Sequence, residues 1–284
     1  MQPNEKPRAP SRPRTKAPVG AADCHFHIFG PYARYPLKPE RGYTPPEALV
    51  SDYLAMAEVV GLQRRVIVQP SVFGTDNTCS IDAVDLFGRD STRVIAVIDD
   101  GFDAATLRAM DKRGVCGVRF NAISGGGTPM DQLDRLSLRL ADLGWHLQLY
   151  INSEELPRLA DHLLALPVPV VMDHMGQVWT ERGLDHPEFQ ALLRIVAGGG
   201  WVKLCGYRVS SAGPPYADLA APARALIAAA PDRCVWGTDW PHPNMVGPLM
   251  PDDGAMLDLL ASWCDDEAQL RGILVDNPAR LYGF

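Results

Sequence analysis

Residues 22–30 read ADCHFHIFG, a short apolar run that carries two histidines one residue apart and ends at a glycine. Alternation of side chains along a strand sends His25 and His27 to one face, so the end of this segment can present two imidazoles to one point. Two later segments close in the same way. VPVVMDHMG (168–176) is a β-branched run that ends at His174, and CVWGTDWP (234–241) ends at Asp239. Three imidazoles and a carboxylate at strand ends suit two chemistries. They can hold one divalent metal ion, or they can polarise a carbonyl while the carboxylate takes a proton from water. Spacing alone does not choose between these.

Five further segments complete the pattern: RRVIVQP (64–70), RVIAVID (93–99), GVRFN (117–121), HLQLYI (146–151) and WVKLCG (201–206). With the first strand, expected at 21–27, and the two segments that end in His174 and Asp239, they make eight. Amphipathic stretches lie between them. Leu49, Tyr53, Met56, Ala57 and Val60 share a helical face behind Thr44, Pro45 and Glu47, which read as a capping-box start. Leu133, Leu136, Leu140 and Leu143 repeat that spacing before Gly144, as do Leu156, Leu159, Leu163 and Leu166 before the sixth strand. Short strands alternating with helices predict an α/β fold with a parallel sheet, and eight is the number of a (β/α)8 TIM barrel. A chain of 284 residues, 46% hydrophobic, is the right size for one such domain, expected over 21–284. The longest connections follow the first strand (28–44) and the eighth (241–252), and loops at strand C-termini build the active sites of barrels.

Residues 1–20 hold five prolines and five basic residues against one glutamate, a composition that cannot build a core and predicts an extended or disordered arm. Packing across the domain or a subunit is its alternative role. The arm carries +4 of a total of −7, leaving −11 on the rest, which argues against a nucleic-acid partner. No apolar run approaches the roughly 20 residues of a membrane span, and the arm lacks the apolar centre of a signal peptide, so a cytoplasmic location is expected. The six cysteines form no CxxC pair, and Cys24, Cys116, Cys205 and Cys234 fall in or beside strands, as reduced buried thiols do.

Ionisable and polar residues gather at the strand ends, where a purely structural barrel has no need of them: Gln69, Ser71 and Thr75, Arg119 and Asn121, Tyr150 and Asn152, Asp173, Lys203 and Arg208, His242 and Asn244. Each has a plainer role to set beside the functional one. Asp173 reads best as a structural partner, and Lys203 as half of an ion pair inside the barrel. Arg119 is either a core salt bridge or a clamp on a substrate carboxylate, for which a planar guanidinium is suited. Arg208 can be a solvated loop residue, Tyr150 a packing residue, and Ser71 and Thr75 caps for a helix beginning near Asn77.

DCHFHIFGP, VIVQPSVFGTDN, GVRFN, DHMG, AGPPY, WGTDWPHPNM, PDDG and NPARLY, in this order from about residue 20 to the C-terminus, resemble the amidohydrolase superfamily, and within it the 2-pyrone-4,6-dicarboxylate lactonase branch with its related lactone hydrolases. The resemblance implies a distorted (β/α)8 barrel that hydrolyses a small carboxylated lactone from aromatic or sugar-acid breakdown, such as a pyrone dicarboxylate, a muconolactone or a sulfomuconolactone. It implies Asp239 as the base that activates water, His25, His27 and His174 around the lactone carbonyl, and Arg119, Tyr150, Ser71, Thr75 and Arg208 on the substrate, with His242 and Asn244 beside them. One departure stands out. The branch places a second basic residue after RFN, where this chain reads RFNAISGGGTP; backbone amides of that loop are left to meet an anion there, and a differently substituted ring is favoured. No lysine or glutamate on a middle strand offers a bridge for two metals. The resemblance therefore implies no required cofactor, or one zinc held by His25, His27, His174 and Asp239. Related activities are a sugar-acid lactonase, a lactone isomerase and a zinc-dependent decarboxylase on the same four residues; a non-catalytic binding barrel is the remaining class.

Overall fold

Eight parallel strands follow one another round a single sheet in chain order: β1 (Ala22–Phe26), β2 (Arg64–Val68), β3 (Thr92–Ala96), β4 (Val115–Asn121), β5 (His146–Tyr150), β6 (Val170–Met172), β7 (Trp201–Lys203) and β8 (Cys234–Val235). They belong to a computed structural model that describes residues 5–124 and 127–284. β8 meets β1 through separate backbone bonds rather than a continuous ladder. Cys24 N–H donates to the Trp236 carbonyl (2.9 Å), His27 N–H to Trp240 (2.8 Å) and Asp239 N–H to His25 (2.7 Å). Each strand is followed by a helix: α1 (Val50–Val60), α2 (Thr78–Phe87), α3 (Ala104–Lys112), α4 (Leu133–Ala141), α5 (Leu156–Leu164), α6 (Pro187–Ala197), α7 (Ala220–Ala229) and α8 (Asp253–Trp263). This is the (β/α)8 barrel that the eight apolar segments predict.

Strand alternation sorts the core into two layers. Ile67, Val94, Val118, Phe120, Leu147, Leu149 and Val202 face outward and pack with the helices. Ala22, Cys24, Val66, Val68, Ile95, Val171, Trp201 and Val235 face inward and fill the barrel together with Tyr282. β1 breaks the alternation once, because its register against β2 shifts between Asp23 and Phe26. Cys24 and His25 consequently both point inward, Phe26 points outward, and His27 turns inward again. Without that bulge, a strand with Ala22 and Cys24 inside would send both histidines to the helix layer.

The α1 start differs from expectation. The helix begins at Val50, where the Asp52 carboxylate accepts the Leu49 N–H (2.9 Å), while Glu47 accepts the Tyr32 N–H (2.6 Å) and Ala48 pairs with Phe29. Residues 44–48 are thus drawn into the loop over the first strand, although Tyr53, Met56, Ala57 and Val60 are buried as the period requires. Residues 5–20 contain no helix or strand, yet they are tied to the segment before α8: Arg8 donates to the carbonyls of Met250 (2.6 Å) and Pro251 (3.1 Å), and Ser11 to Asp252 through its N–H (3.0 Å) and hydroxyl (2.9 Å). Among the described residues no helix is long and apolar enough to cross a membrane.

Candidate active site

A polar layer crosses the barrel above the apolar fill. On inward-facing positions of β4 and β5 and just beyond β6, Arg119 Nε and Gln148 Nε2 both donate to Asp173 Oδ2, at 2.8 and 3.0 Å. Lys203, at the end of β7, donates to Gln148 Oε1 (2.6 Å) and lies 3.5 Å from Asp173 Oδ1. His25 joins through Nδ1, 3.4 Å from both Lys203 Nζ and Asp173 Oδ1. Burial alone would raise the Asp173 carboxyl, but the charges of Arg119 and Lys203 dominate and hold it well below the usual range. The readings of Asp173 and Lys203 as structural partners describe these contacts, and Arg119 is in the barrel salt bridge while also reaching the cavity above.

Asp239 sits on that layer. Its Oδ2 accepts from both Tyr207 Oη and Arg208 Nε, so that oxygen is committed. Its Oδ1 faces His27 Nε2 at 3.4 Å and His25 Nε2 at 3.6 Å. His27 Nδ1 lies 2.7 Å from the Val68 carbonyl, which can only accept, so Nδ1 carries a hydrogen and the ring is held with Nε2 toward Asp239. Burial tends to raise the Asp239 carboxyl, but Arg208, His174, His27 and His25 hold it well below the usual range, so it is ionised at neutral pH. Asp239, His242 and Asn244 all have left-handed backbones (φ 61°, 60° and 67°), as do His174 and Met175 (φ 46° and 52°), each costing on the order of 1–3 kcal/mol that the surrounding contacts offset.

A cavity of about 360 Å3, including its open mouth, lies over Asp239 and is lined by His27, Tyr43, Ser71, Arg119, Asn121, Ser124, Tyr150, His174, Arg208, Asp239, Pro243 and Asn244. The guanidinium of Arg119 lies 4.8 Å from the Tyr150 ring centre, and Tyr150 stands edge-on to His174 at 5.3 Å. Three candidates fall outside the lining, among them His25, which lies in the polar layer against Asp239. Thr75 only offers its carbonyl to Asn77 Nδ2 (2.9 Å), and His242 is buried behind Tyr207. Neither Ser71 nor Thr75 caps α2: the Asp76 carboxylate accepts the Thr78 N–H (3.1 Å). In the loop after β4, Ser124 reaches the cavity and donates its N–H to Asn121 Oδ1 (2.9 Å), while Gly125 and Gly126, whose amides were candidate anion donors, lie outside the described residues. Sequence reading missed Tyr43 and Tyr207. Tyr43 sits in the long loop after β1, where loop length was the available signal; burial pushes its hydroxyl up to about 12.

The amidohydrolase family profile matches residues 22–284. The chain belongs to the amidohydrolase family. This amidohydrolase is 38% identical over 286 aligned residues to 2-pyrone-4,6-dicarboxylate hydrolase of Comamonas testosteroni, covering 96% of this chain and 93% of that one. It is 40% identical over 292 aligned residues to 4-sulfomuconolactone hydrolase of Rhizobium radiobacter, covering 100% and 97%. A crystal structure of an Agrobacterium tumefaciens protein without ligand matches with a TM-score of 0.88 at 30% identity, covering 96% of this chain and 98% of that one.

Single-ion chemistry is compatible with the donors of this amidohydrolase. His25, His174 and Asp239 present ligand atoms within 4.8 Å of one another, and His25 Nε2 and His174 Nδ1 are buried without a hydrogen-bond partner among the described residues.

Buried imidazoles, His146 with His25 and His174, give the protein a pH-dependent stability. Burial lowers His146 to about 3 and His174 to about 4, and burial with Lys203 lowers His25 well below 6.5. Below pH 6.5 the unfolded chain binds protons at these rings that the folded chain refuses, so stability falls by about 1.4 kcal/mol per pH unit for each ring. Asp23 works the other way. Burial raises it to about 6, so between pH 6 and 3.8 the folded protein holds a proton that the unfolded chain lacks, offsetting one ring. Tm measured from pH 7 to 4.5 should therefore fall below pH 6.5; a flat Tm across that window would exclude neutral buried rings.

Proposed function

We propose that this amidohydrolase opens a small carboxylated lactone by hydrolysis, with Asp239 as general base. The observation that carries the reading is the asymmetry of the Asp239 carboxylate: Oδ2 is tied to Tyr207 and Arg208, while Oδ1 faces His27 Nε2 at the cavity floor. Water in the cavity beside Oδ1 gives it a hydrogen and turns an oxygen lone pair to the substrate carbonyl. As the oxygen attacks, Asp239 receives the proton. His174, on the cavity wall with His25 packed against its ring, stands as a donor to the developing oxyanion, and Arg208 keeps positive charge next to it. Collapse of the tetrahedral intermediate breaks the ring C–O bond, and the alkoxide or enolate oxygen takes the proton from Asp239. A divalent ion held by His25, His174 and Asp239 would, when bound, acidify the water and polarise the carbonyl.

Arg119 is the clamp for a ring carboxylate, its Nε on Asp173 leaving the two terminal nitrogens to the ligand. Tyr43, Ser71, Ser124 and Asn244 line the rest with uncharged donors, which supports a ring with one strongly held anion and a second substituent met by hydrogen bonds. The reading is supported by relatives named for hydrolysis of a pyrone dicarboxylate and of a sulfomuconolactone.

The test is hydrolysis of 2-pyrone-4,6-dicarboxylate, muconolactone and 4-sulfomuconolactone by chelator-treated protein, with metal content assayed in parallel. Ring opening by metal-free protein is the expected result. Activity that returned only with one equivalent of zinc would place an ion on His25, His174 and Asp239 and bring a decarboxylase into contention. Failure to open any of the three, with or without zinc, would sink the assignment.

A further inference from the structure

Behind Asp239, on the side away from the cavity, three buried polar residues stand in line, and the proposed reaction does not itself use them. Tyr207 gives its one hydrogen to Asp239 Oδ2, which leaves its oxygen free to accept. His242 Nδ1 lies 3.4 Å from that oxygen. On the far side of the same ring, His242 Nε2 lies 3.1 Å from Asp253 Oδ1. The angles of this last approach are not those of a hydrogen bond, and neither atom has a hydrogen-bond partner among the described residues. His242 and Asp253 are each 1% exposed. Apolar side chains would fill such a space without leaving buried polar atoms to be satisfied, so a line of carboxylate, imidazole and phenol ending on the base calls for an explanation beyond packing.

We propose that Asp253, His242 and Tyr207 form a positioning chain that fixes the rotation of the Asp239 carboxylate and keeps Oδ1 aimed at the reacting water. The inference rests on the reading of Asp239 as the base. The three residues come from three separate elements: the loop after β7, the loop after β8 and the first position of α8. Asp253 is itself immobilised. The neighbouring Asp252 carboxylate caps α8 by accepting the N–H groups of Gly254 (3.0 Å) and Ala255 (3.2 Å), and it also binds Ser11 of the N-terminal arm. The arm backbone runs so close over Gly254 that a Cβ there would sit 1.9 Å from the Ser11 carbonyl oxygen. The chain thus runs from a clamped helix start to the carboxylate, and no member of it other than Asp239 lines the cavity. Arg208 also holds Oδ2, but from the cavity side, where its guanidinium is shared with the Pro243 carbonyl (3.1 Å). Tyr207 supplies the contact from the wall.

The experiment compares the full-length protein with Tyr207→Phe, Asp253→Asn and the double variant, by steady-state kinetics on the lactone turned over and by histidine 15N NMR. Loss of one orienting hydrogen bond in Tyr207→Phe should lower kcat about tenfold or more, with KM within about twofold. Asp253→Asn should lower kcat severalfold on its own and by less than about twofold in the Tyr207→Phe background, since the chain is already cut there. Equal losses in both backgrounds, or no loss of kcat in either single variant, would overturn the proposal. A purely structural role would lower Tm without this dependence on background. If Asp253→Asn does not fold, His242→Gln makes the same comparison. The NMR arm needs no turnover: each single variant should move the His242 ring signals, and signals that stay in place overturn the chain. A wild-type protein that opens no lactone would instead overturn the function assigned to the site, and the spectra would still decide whether the chain exists.

Discussion

Asp239→Asn lowers kcat for lactone opening by a factor of roughly 10²–10⁴, the range that a positioned general base contributes, while KM changes little. Asparagine preserves the shape of the side chain, and its carbonyl oxygen can still accept from Tyr207 and Arg208, so the cavity keeps its walls. What disappears is an oxygen that can take a proton from water. The fold bears a separate cost, because Asp239 is the charge partner of Arg208 and its carboxyl is held well below the usual range chiefly by that guanidinium acting against burial. Arg208 keeps partial contact with solvent, which screens the loss, so a lower Tm with a cooperative transition is expected rather than collapse. Kinetics on chelator-treated protein, paired with thermal unfolding, separates the two effects. A folded Asp239→Asn variant that retained kcat within tenfold of wild type would reject Asp239 as the base.

Arg119→Ala has two large effects at once, because one side chain serves the barrel and the cavity. Its Nε holds Asp173, which is fully buried, while Arg119 also lines the cavity. Truncation leaves Asp173 with Gln148 and with Lys203 at 3.5 Å, and breaking a buried pair in this way costs about 3–5 kcal/mol of stability. The same truncation removes the clamp, and losing the partner of a buried anion weakens binding by about 2–5 kcal/mol, a rise in KM of roughly 30-fold or more. Arg119→Lys distinguishes the two. An ammonium can restore charge beside Asp173 and most of the stability, but it lacks the planar fork, so KM should stay high. Kinetics with an anionic lactone and with its neutral ester checks the assignment: the ester should lose little between wild type and variant. An equal loss on both would remove Arg119 from substrate recognition and leave it as a barrel residue.

Much of the barrel was legible because its information is local. Runs such as RRVIVQP and VPVVMDHMG are apolar wherever they are placed, and the leucines of α4 and α5 show their period without reference to any neighbour. The same holds for the identity of the site. Histidines, a carboxylate and arginines at the ends of apolar segments are carried to the same end of any barrel built from those segments, and His25, His27, His174, Asp239, Arg119, Tyr150, Ser71, Arg208 and Asn244 do meet around one floor. Thr75 and His242 were legible by the same rule and lie elsewhere, because position at a strand end does not settle which way a loop turns.

Hydrophobic period and residue type are properties of short segments, so the number and order of strands and the set of ionisable groups at their ends could be read without the fold. Tertiary structure alone decided the rest. The bulge in β1 follows from closing the barrel against β8 and turns both histidines inward. The start of α1 at Val50 follows from Glu47 being drawn to Tyr32. The left-handed turns at Asp239, His242 and Asn244, and the convergence of Tyr207, His242 and Asp253 on the carboxylate, depend on contacts between loops far apart in the chain. No local pattern encodes such contacts, because a left-handed backbone at a residue with a side chain is unfavourable on its own and persists only where the assembled fold holds it.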